Sequence, residues 1–347
     1  MNGALPLFNE DCPPDDWRHI RAPGGYEWRR FEAWTPSSVG TSPPLYCTII
    51  FSQGWPLNAQ YLRRYRSYRR HPTIHAPPQP AEFPAIFLRV RQGNRLLISD
   101  FVAADAGQFS VSDGASIQYG DSFLQRDADG CYQITLRPKS KTVTADLVFR
   151  ATQGSLQKLK ALACFPPPLL AGLHRWLITP TLFSVTGELR LNSQPLPFTG
   201  HGICDHQFGV TPLLPLRHWI RGLAPEPDRA ILFQFASTTT GAQRASVIQI
   251  DPTGISELEA ETFATEGRHF TSSGVCYPNV IRVAGRVYTN PTHIDHSPAS
   301  ITVQYQSQCQ RPAKSPAETP SPLLCEIASP AILTRPALLS RFFPFPA

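Results

Sequence analysis

Phe198-Thr199-Gly200-His201-Gly202-Ile203-Cys204-Asp205-His206-Gln207-Phe208-Gly209 places one carboxyl group, two imidazoles and three glycines within twelve positions. Closely spaced glycines let a backbone turn sharply or pass near a ligand. Asp205 lies between His201 and His206, so three titratable groups are in local reach of one another, and the stretch is read as the candidate site. Around it, apolar and polar residues alternate in short windows, Gly187–Leu191 before it and Ile231–Phe235 after it. The same period of two recurs at Ala85–Val90, Tyr132–Leu136, Val143–Phe149, Val247–Ile250, Val280–Val283 and Ile301–Tyr305. Such a period buries one face of a strand and exposes the other. Turn signals at Gln92-Gly93-Asn94, Asp129-Gly130, Pro252-Thr253-Gly254 and Ala284-Gly285 lie beside these windows, which predicts antiparallel hairpins.

The chain has 347 residues, more than one ordinary core holds, so two domains are expected. Hydrophobic residues at 41% against charged residues at 17% supply cores and exclude a disordered chain. Thirty-six prolines and 22 glycines point to many short elements joined by turns. The predicted fold is all-β, with two consecutive antiparallel barrels or sandwiches, because closure removes exposed strand edges. The proline-rich break Phe165–Pro168 sets the division: a tail over 1–20, a first domain over 21–165 and a second over 166–347. A second break, Arg311–Pro322, reads as an exposed loop. Incompletely filled β-barrels hold apolar ligands.

The net charge is +6, and the basic residues are dispersed except for Arg63, Arg64, Arg66, Arg69 and Arg70, interleaved with Tyr61, Tyr65 and Tyr68. This run is read as a solvated loop face, with an acidic membrane surface as the other reading and no nucleic-acid partner. The eight cysteines show no C-x-x-C pair, so zinc is not expected and the thiols are read as reduced, in a cytoplasm. The N-terminus lacks the basic and apolar regions of a secretory signal. The most apolar stretch, Ala161–Ile178, is broken by Pro166, Pro167, Pro168, His174 and Arg175, so no membrane span is expected. Serine-nucleophile and phosphate-cradling motifs are absent. His201, Asp205 and His206 are metal-ligand types, yet Gly200 and Gly202 argue against the helix that would bring His201 and Asp205 together, and no metal is expected.

Three landmarks carry a resemblance. Gly24-Gly25-Tyr26-Glu27-Trp28-Arg29-Arg30-Phe31-Glu32-Ala33 is similar to the G-x-Y-E-W-W-Y-F-D-A opening of the carotenoid 1,2-hydratase (hydroxyneurosporene synthase) family. Gly200–Gly209 resembles that family's G-H-G-Y-x-D-x-N-F-G segment, and His174-Arg175-Trp176 its H-x-W segment. The resemblance implies two lipocalin-like domains and cofactor-independent hydration of the terminal double bond of an acyclic carotenoid or other isoprenoid. It places the catalytic acid on Asp205 and its partners on His174 and Trp176. Tyr26, His201, His206, Phe208 and Trp219 are the expected substrate contacts. Ile203 replaces the family's tyrosine, and Arg29-Arg30 replace aromatics.

The chemistry accounts for the residue types. An alkene has no leaving group, so an acid must protonate one carbon, an indole can face the resulting cation, and a histidine can manage the water's proton. Such an acid must stay neutral, which burial favours. Trp219-Ile220-Arg221 contains an arginine whose pairing with Asp205 would keep that acid ionised. Two further readings stay open: a cyclase or pericyclase acting on a polyene, and a non-catalytic carrier of a lipophilic molecule. Asp205 with its histidines is also readable as a hydrogen-bonded turn, His174 and Trp176 as packed core, and Tyr26-Glu27-Trp28 as a segment that knits the first strand into its barrel. Peripheral membrane contact is expected through Arg63–Arg70 or the tail Phe342-Phe343-Pro344-Phe345.

Overall fold

A computed structural model describes residues 16–36, 43–54, 58–103, 106–112, 116–138, 142–151, 160–162, 174–210, 216–259, 263–272, 275–297, 300–308 and 322–328. The first sheet opens with β1 (Gly25–Trp34), β2 (Leu45–Gln53), β3 (Pro84–Gln92) and β4 (Arg95–Ala103). It continues through β5 (Phe109–Ser112), β6 (Ser116–Tyr119), β7 (Ser122–Arg126), β8 (Tyr132–Leu136) and β9 (Val143–Ala151). It ends with β10 (Lys160–Leu162), β11 (His174–Ile178), β12 (Phe183–Leu191) and β13 (Gln194–Val210). The second sheet uses β14 (Leu216–Pro225), β15 (Ala230–Thr238), β16 (Gln243–Asp251), β17 (Gly254–Leu258) and β18 (Phe263–Glu266). After a small hairpin of β19 (His269–Phe270) and β20 (Cys276–Tyr277), it is completed by β21 (Val280–Val283), β22 (Arg286–Ser297), β23 (Ser300–Gln308) and β24 (Leu323–Ala328).

The fold is all-β and lipocalin-like, two curled antiparallel sheets of thirteen and nine strands. Every alternating window of the sequence lies in a strand, and the expected turns carry the positive φ their residues allow, at Gly93, Gly130, Ala284 and Gly285. Among the described residues the first curl stays open, with β4 and β5 as its outer strands, rather than closing into a barrel. The change of sheet falls between Val210 and Leu216 and does not coincide with the expected division at 165/166. The reason lies in pairing: β1 is hydrogen-bonded to β13 from Gly25↔Val210 to Trp34↔His201, and β11 and β12 also join β13. The proline break itself and the Phe342–Phe345 tail lie outside the described residues.

Alternation along β1 and β13 sends side chains into two different cores. Phe31, Ala33 and Cys204 join the core inside the first curl, with Trp17, Phe51, Tyr132 and Phe149. Tyr26, Trp28, Trp34 and Ile203 join a core at the seam between the sheets, with Trp176, Ile178, Trp219 and Leu223. A third core fills the second curl. The arginine-rich segment is a helix, α1 (Ala59–Arg70), not a loop. Asn58 caps it by accepting from the Gln60 and Tyr61 amides, and Tyr61 and Tyr65, one turn apart, bury the inner face.

Candidate active site

The segment Phe198–Gly209 is strand throughout, and this separates the groups that sequence spacing had placed together. Asp205 and His206 are neighbours and therefore face opposite sides of the sheet. His201 shares the Asp205 side but is four residues away, roughly 13 Å along a strand. It lies against Trp34, ring centroids 6.4 Å apart. Two glycines serve packing: a Cβ on Gly202 would lie 2.6 Å from the Phe149 ring and 2.8 Å from the Glu32 carbonyl, and one on Gly200 would collide with the Trp34 carbonyl. Neither is spent on a ligand.

At the seam, the strands assemble most of the expected site. Pairing of Trp176 with Gln207 and of Ile178 with Asp205 lines His174, Trp176 and Asp205 along one face. Tyr26 reaches the same place from β1, its hydroxyl 2.5 Å from His174 Nδ1. Burial, with Arg175 nearby, holds His174 well below the usual histidine range, so the neutral imidazole accepts from the tyrosine. Tyr26 stacks on Trp28 at 5.0 Å, and Trp28 meets Trp219 at 6.0 Å. Trp176 Nε1 and Gln207 Oε1 are buried without a protein partner.

Asp205, 1% exposed, is an acceptor on both oxygens. Arg221 Nη2 donates to Oδ2 at 2.5 Å and Gln207 Nε2 to Oδ1 at 2.9 Å. Arg221 Nη1 also lies 2.5 Å from Glu32 Oε2, so one guanidinium from the second sheet grips two carboxylates of the first. Burial opposes the Arg221 charge, but Glu32 and Asp205 more than offset it and raise its pKa. Arg30 pairs with Glu326 at 2.6 Å across the same seam. In this geometry Asp205 links the two sheets through Arg221.

The other face of the same strands holds a group that the sequence reading passed over. Glu27, fully buried, accepts from the Arg18 amide at 2.5 Å and meets His206 Nε2 at 2.8 Å, both at Oε1. Burial pushes its carboxyl up to about 8, against the smaller pull of the Arg18 amide and the Arg29 charge. Burial, then Arg29 and Arg18, hold His206 well below the usual range, so it too is neutral at pH 7. In the Nε2–H tautomer of His206, two donors on Oε1 leave the carboxyl's own hydrogen on Oε2. Oε2 and His206 Nδ1 are both buried without a hydrogen-bond partner; the Ile20 amide pulls weakly on the carboxyl without reaching bonding geometry at Oε2. Trp17 stacks on His206 at 5.9 Å, and Phe208 lies 5.2 Å from the same imidazole. The signal for Glu27 was its phase, a carboxyl between Tyr26 and Trp28 that alternates onto the same face as Phe31. Its partner, 179 positions away, could not be read from spacing.

Among the described residues no group of three or more His, Cys, Asp or Glu is placed to hold a metal ion. The fold is that of a lipocalin-like protein, with two buried polar clusters on opposite faces of β1 and β13. No protein-family model matches the chain. Among curated proteins the chain is similar to a hydroxyneurosporene dehydrogenase of Chlorobaculum tepidum, 24% identical over 212 residues, or 57% of this chain and 52% of that protein. The match thus spans about half the length of that relative. Among solved structures, one described as an AttH from Nitrosomonas europaea superposes with a TM-score of 0.62 at 14% identity, covering 94% of this chain and 99% of that one. Kievitone hydratase from Nectria haematococca gives a TM-score of 0.53 at 12% identity, covering 96% of each chain. These similarities run in the direction of the carotenoid-hydratase resemblance carried by the three sequence landmarks.

Proposed function

We propose that the chain is a cofactor-independent hydratase acting on the terminal double bond of an acyclic isoprenoid, and that Glu27 rather than Asp205 delivers the proton. The observation that carries this reading is the buried Glu27–His206 pair, a carboxyl kept protonated at neutral pH beside a neutral imidazole, with Trp17 and Phe208 against the imidazole and Arg29 nearby. The Oε2 hydrogen passes to the less substituted alkene carbon, whose π electrons form the new C–H bond and leave a tertiary cation. The Trp17 indole can stabilise such a cation by roughly 2 kcal/mol when desolvated. Water then forms the C–O bond and gives its proton to His206 Nδ1, while the Nε2 hydrogen returns to Glu27 Oε1. The proton count balances, and passage of the Oε1 hydrogen back to Nε2 with relay of the Nδ1 hydrogen through the next water to Oε2 restores the starting tautomers; general acid–base assistance of this kind supplies roughly 10²- to 10⁴-fold.

The names of the similar proteins divide between a hydratase and a dehydrogenase. A dehydrogenase moves a hydride and needs an acceptor, whereas the Glu27–His206 pair moves protons, which favours hydration. The hydroxyneurosporene in the curated relative's name supports an isoprenoid substrate. A second reading keeps the chemistry at the seam, on Tyr26, His174, Trp176 and Asp205; the short Tyr26–His174 bond and the unpartnered Trp176 Nε1 favour it. It requires Asp205 to leave Arg221 before it can act. A cytoplasmic protein touching membranes fits a lipophilic substrate, with the exposed Arg63, Arg64, Arg69 and Arg70 of α1 as the contact. Among the described residues no helix is long and apolar enough to cross a membrane.

The test is incubation with neurosporene or lycopene in deuterated water, followed by mass analysis. Hydration gives a product heavier by one water with solvent deuterium on the protonated carbon, and Glu27→Gln abolishes it. A product of unchanged mass indicates the cyclase, and recovery of unaltered ligand the carrier. Turnover that survives Glu27→Gln contradicts the assignment of the acid.

A further inference from the structure

We propose that a cavity in the first curl, separate from both polar sites, binds the branched five-carbon end of an apolar chain. The cavity measures about 140 Å³. Its deep wall is Ile86, Leu88, Leu136 and Val143, all buried, with Tyr119 beside them. The Tyr119 hydroxyl is engaged by the backbone, donating to the Val102 carbonyl at 2.9 Å with the Pro84 carbonyl at 3.1 Å. An apolar cavity of roughly 150 Å³ stays dry and accepts a benzene-sized guest. The volume therefore admits one isoprene-sized group and excludes a whole polyene.

The rim is polar and more exposed, with Asp121 and Arg137 at its edge. Arg137 is fixed there by both oxygens of Asp146, at 2.8 and 2.7 Å, and by the Leu136 and Ala145 carbonyls. A rigid charged rim around an apolar floor selects a short hydrocarbon terminus whose continuation leaves through the opening. A file of rings joins the floor to the proton-handling pair: Tyr119 meets Phe109 at 6.3 Å, Phe109 meets Trp17 at 5.8 Å, and Trp17 stacks on His206. The binding site stands on the cavity alone; its service to turnover rests on the hydratase reading.

The experiment titrates the full chain with 2-methyl-2-butene, a five-carbon trisubstituted alkene, and follows methyl resonances by carbon–proton NMR. Saturable shifts at Ile86, Leu88, Leu136 and Val143, with Ile281 and Val303 of the second curl unmoved, are expected. Val143→Phe, which fills the floor, should weaken binding about tenfold or more, equivalent to roughly 1.4 kcal/mol. Val102→Phe at the partly exposed lip does the same if the deeper variant fails to fold. Absence of saturable shifts, or affinity unchanged in a folded filled variant, overturns the site. Glu27→Gln should bind the probe as the parent does. An active Glu27→Gln protein with intact binding removes the acid assignment alone, whereas an active parent that binds no probe, with Glu27→Gln inactive, removes the cavity alone.

Discussion

Glu27 and Asp205 lie on neighbouring strands, equally buried, and the structure treats their carboxyls in opposite ways. Asp205 faces the seam, where Arg221 and Gln207 occupy both of its oxygens. Glu27 faces the first curl, where an amide and an imidazole share one oxygen and the other has no partner. Arg221 holds Asp205 and Glu32 in a buried ion pair, whereas at Glu27 burial outweighs the Arg18 amide and the Arg29 charge and keeps the carboxyl protonated at neutral pH. The difference teaches that burial alone does not fix a buried carboxyl's role. The group it meets matters as much.

Several substitutions break or sharpen that contrast. The largest effect is expected in turnover for Glu27→Gln, which keeps the shape and removes the transferable hydrogen; hydration should fall by roughly 10³-fold or more. Asp205→Asn, assayed on folded protein, should leave most turnover in place. Next comes Arg221→Met, which strands Asp205 and Glu32 as buried carboxylates without their cation. It should cost about 3–5 kcal/mol in denaturant unfolding, because removing one partner of a buried pair leaves its charge uncompensated. A loss below about 1 kcal/mol would show that the ion pair does not fasten the sheets.

Stability against pH sharpens the contrast further. Folded Glu27 holds its proton to about pH 8, while the unfolded chain releases it near 4.5. Between those values the unfolded state binds fewer protons, so this group lowers stability as pH rises, on the order of a few kcal/mol in all, and no further above about 8. His174 and His206, held well below 6.5, act in the other direction: stability rises with pH through the acid range up to about 6.5. Glu27→Gln should flatten the decline between neutral pH and about 8 in urea titrations, and Asp205→Asn should not. The smallest effect belongs to Tyr26→Phe, expected to cost about 1–3 kcal/mol by removing the donor to His174. Under the Glu27 assignment its turnover changes little, whereas under the seam reading it falls steeply.

Much of this was legible in the chain itself. Alternation located the strands, and Gly93, Gly130 and Gly285 marked turns, because period and turn chemistry are local. The change of sheet between Val210 and Leu216 was not legible, since it depends on β1 pairing with β13 across the whole first half. The α1 helix was missed because its charged surface hides the Tyr61–Tyr65 spacing and the Asn58 cap. The motif Gly200–Gly209 stood out in the chain, and Arg221 was readable as a residue that could pair with Asp205, as it does. Its histidines were misplaced, because a strand sends adjacent residues to opposite faces. His206 proved to belong with Glu27, a pairing visible only once β1 and β13 are laid side by side.

The most direct test is infrared spectroscopy of the purified protein across pH, with Glu27→Gln as the difference partner. The account predicts a protonated carboxylic-acid carbonyl band at pH 7 that is absent from the variant and titrates away near pH 8. A difference spectrum showing only carboxylate at pH 7, or a protonated band that persists in Glu27→Gln and vanishes in Asp205→Asn, would contradict it.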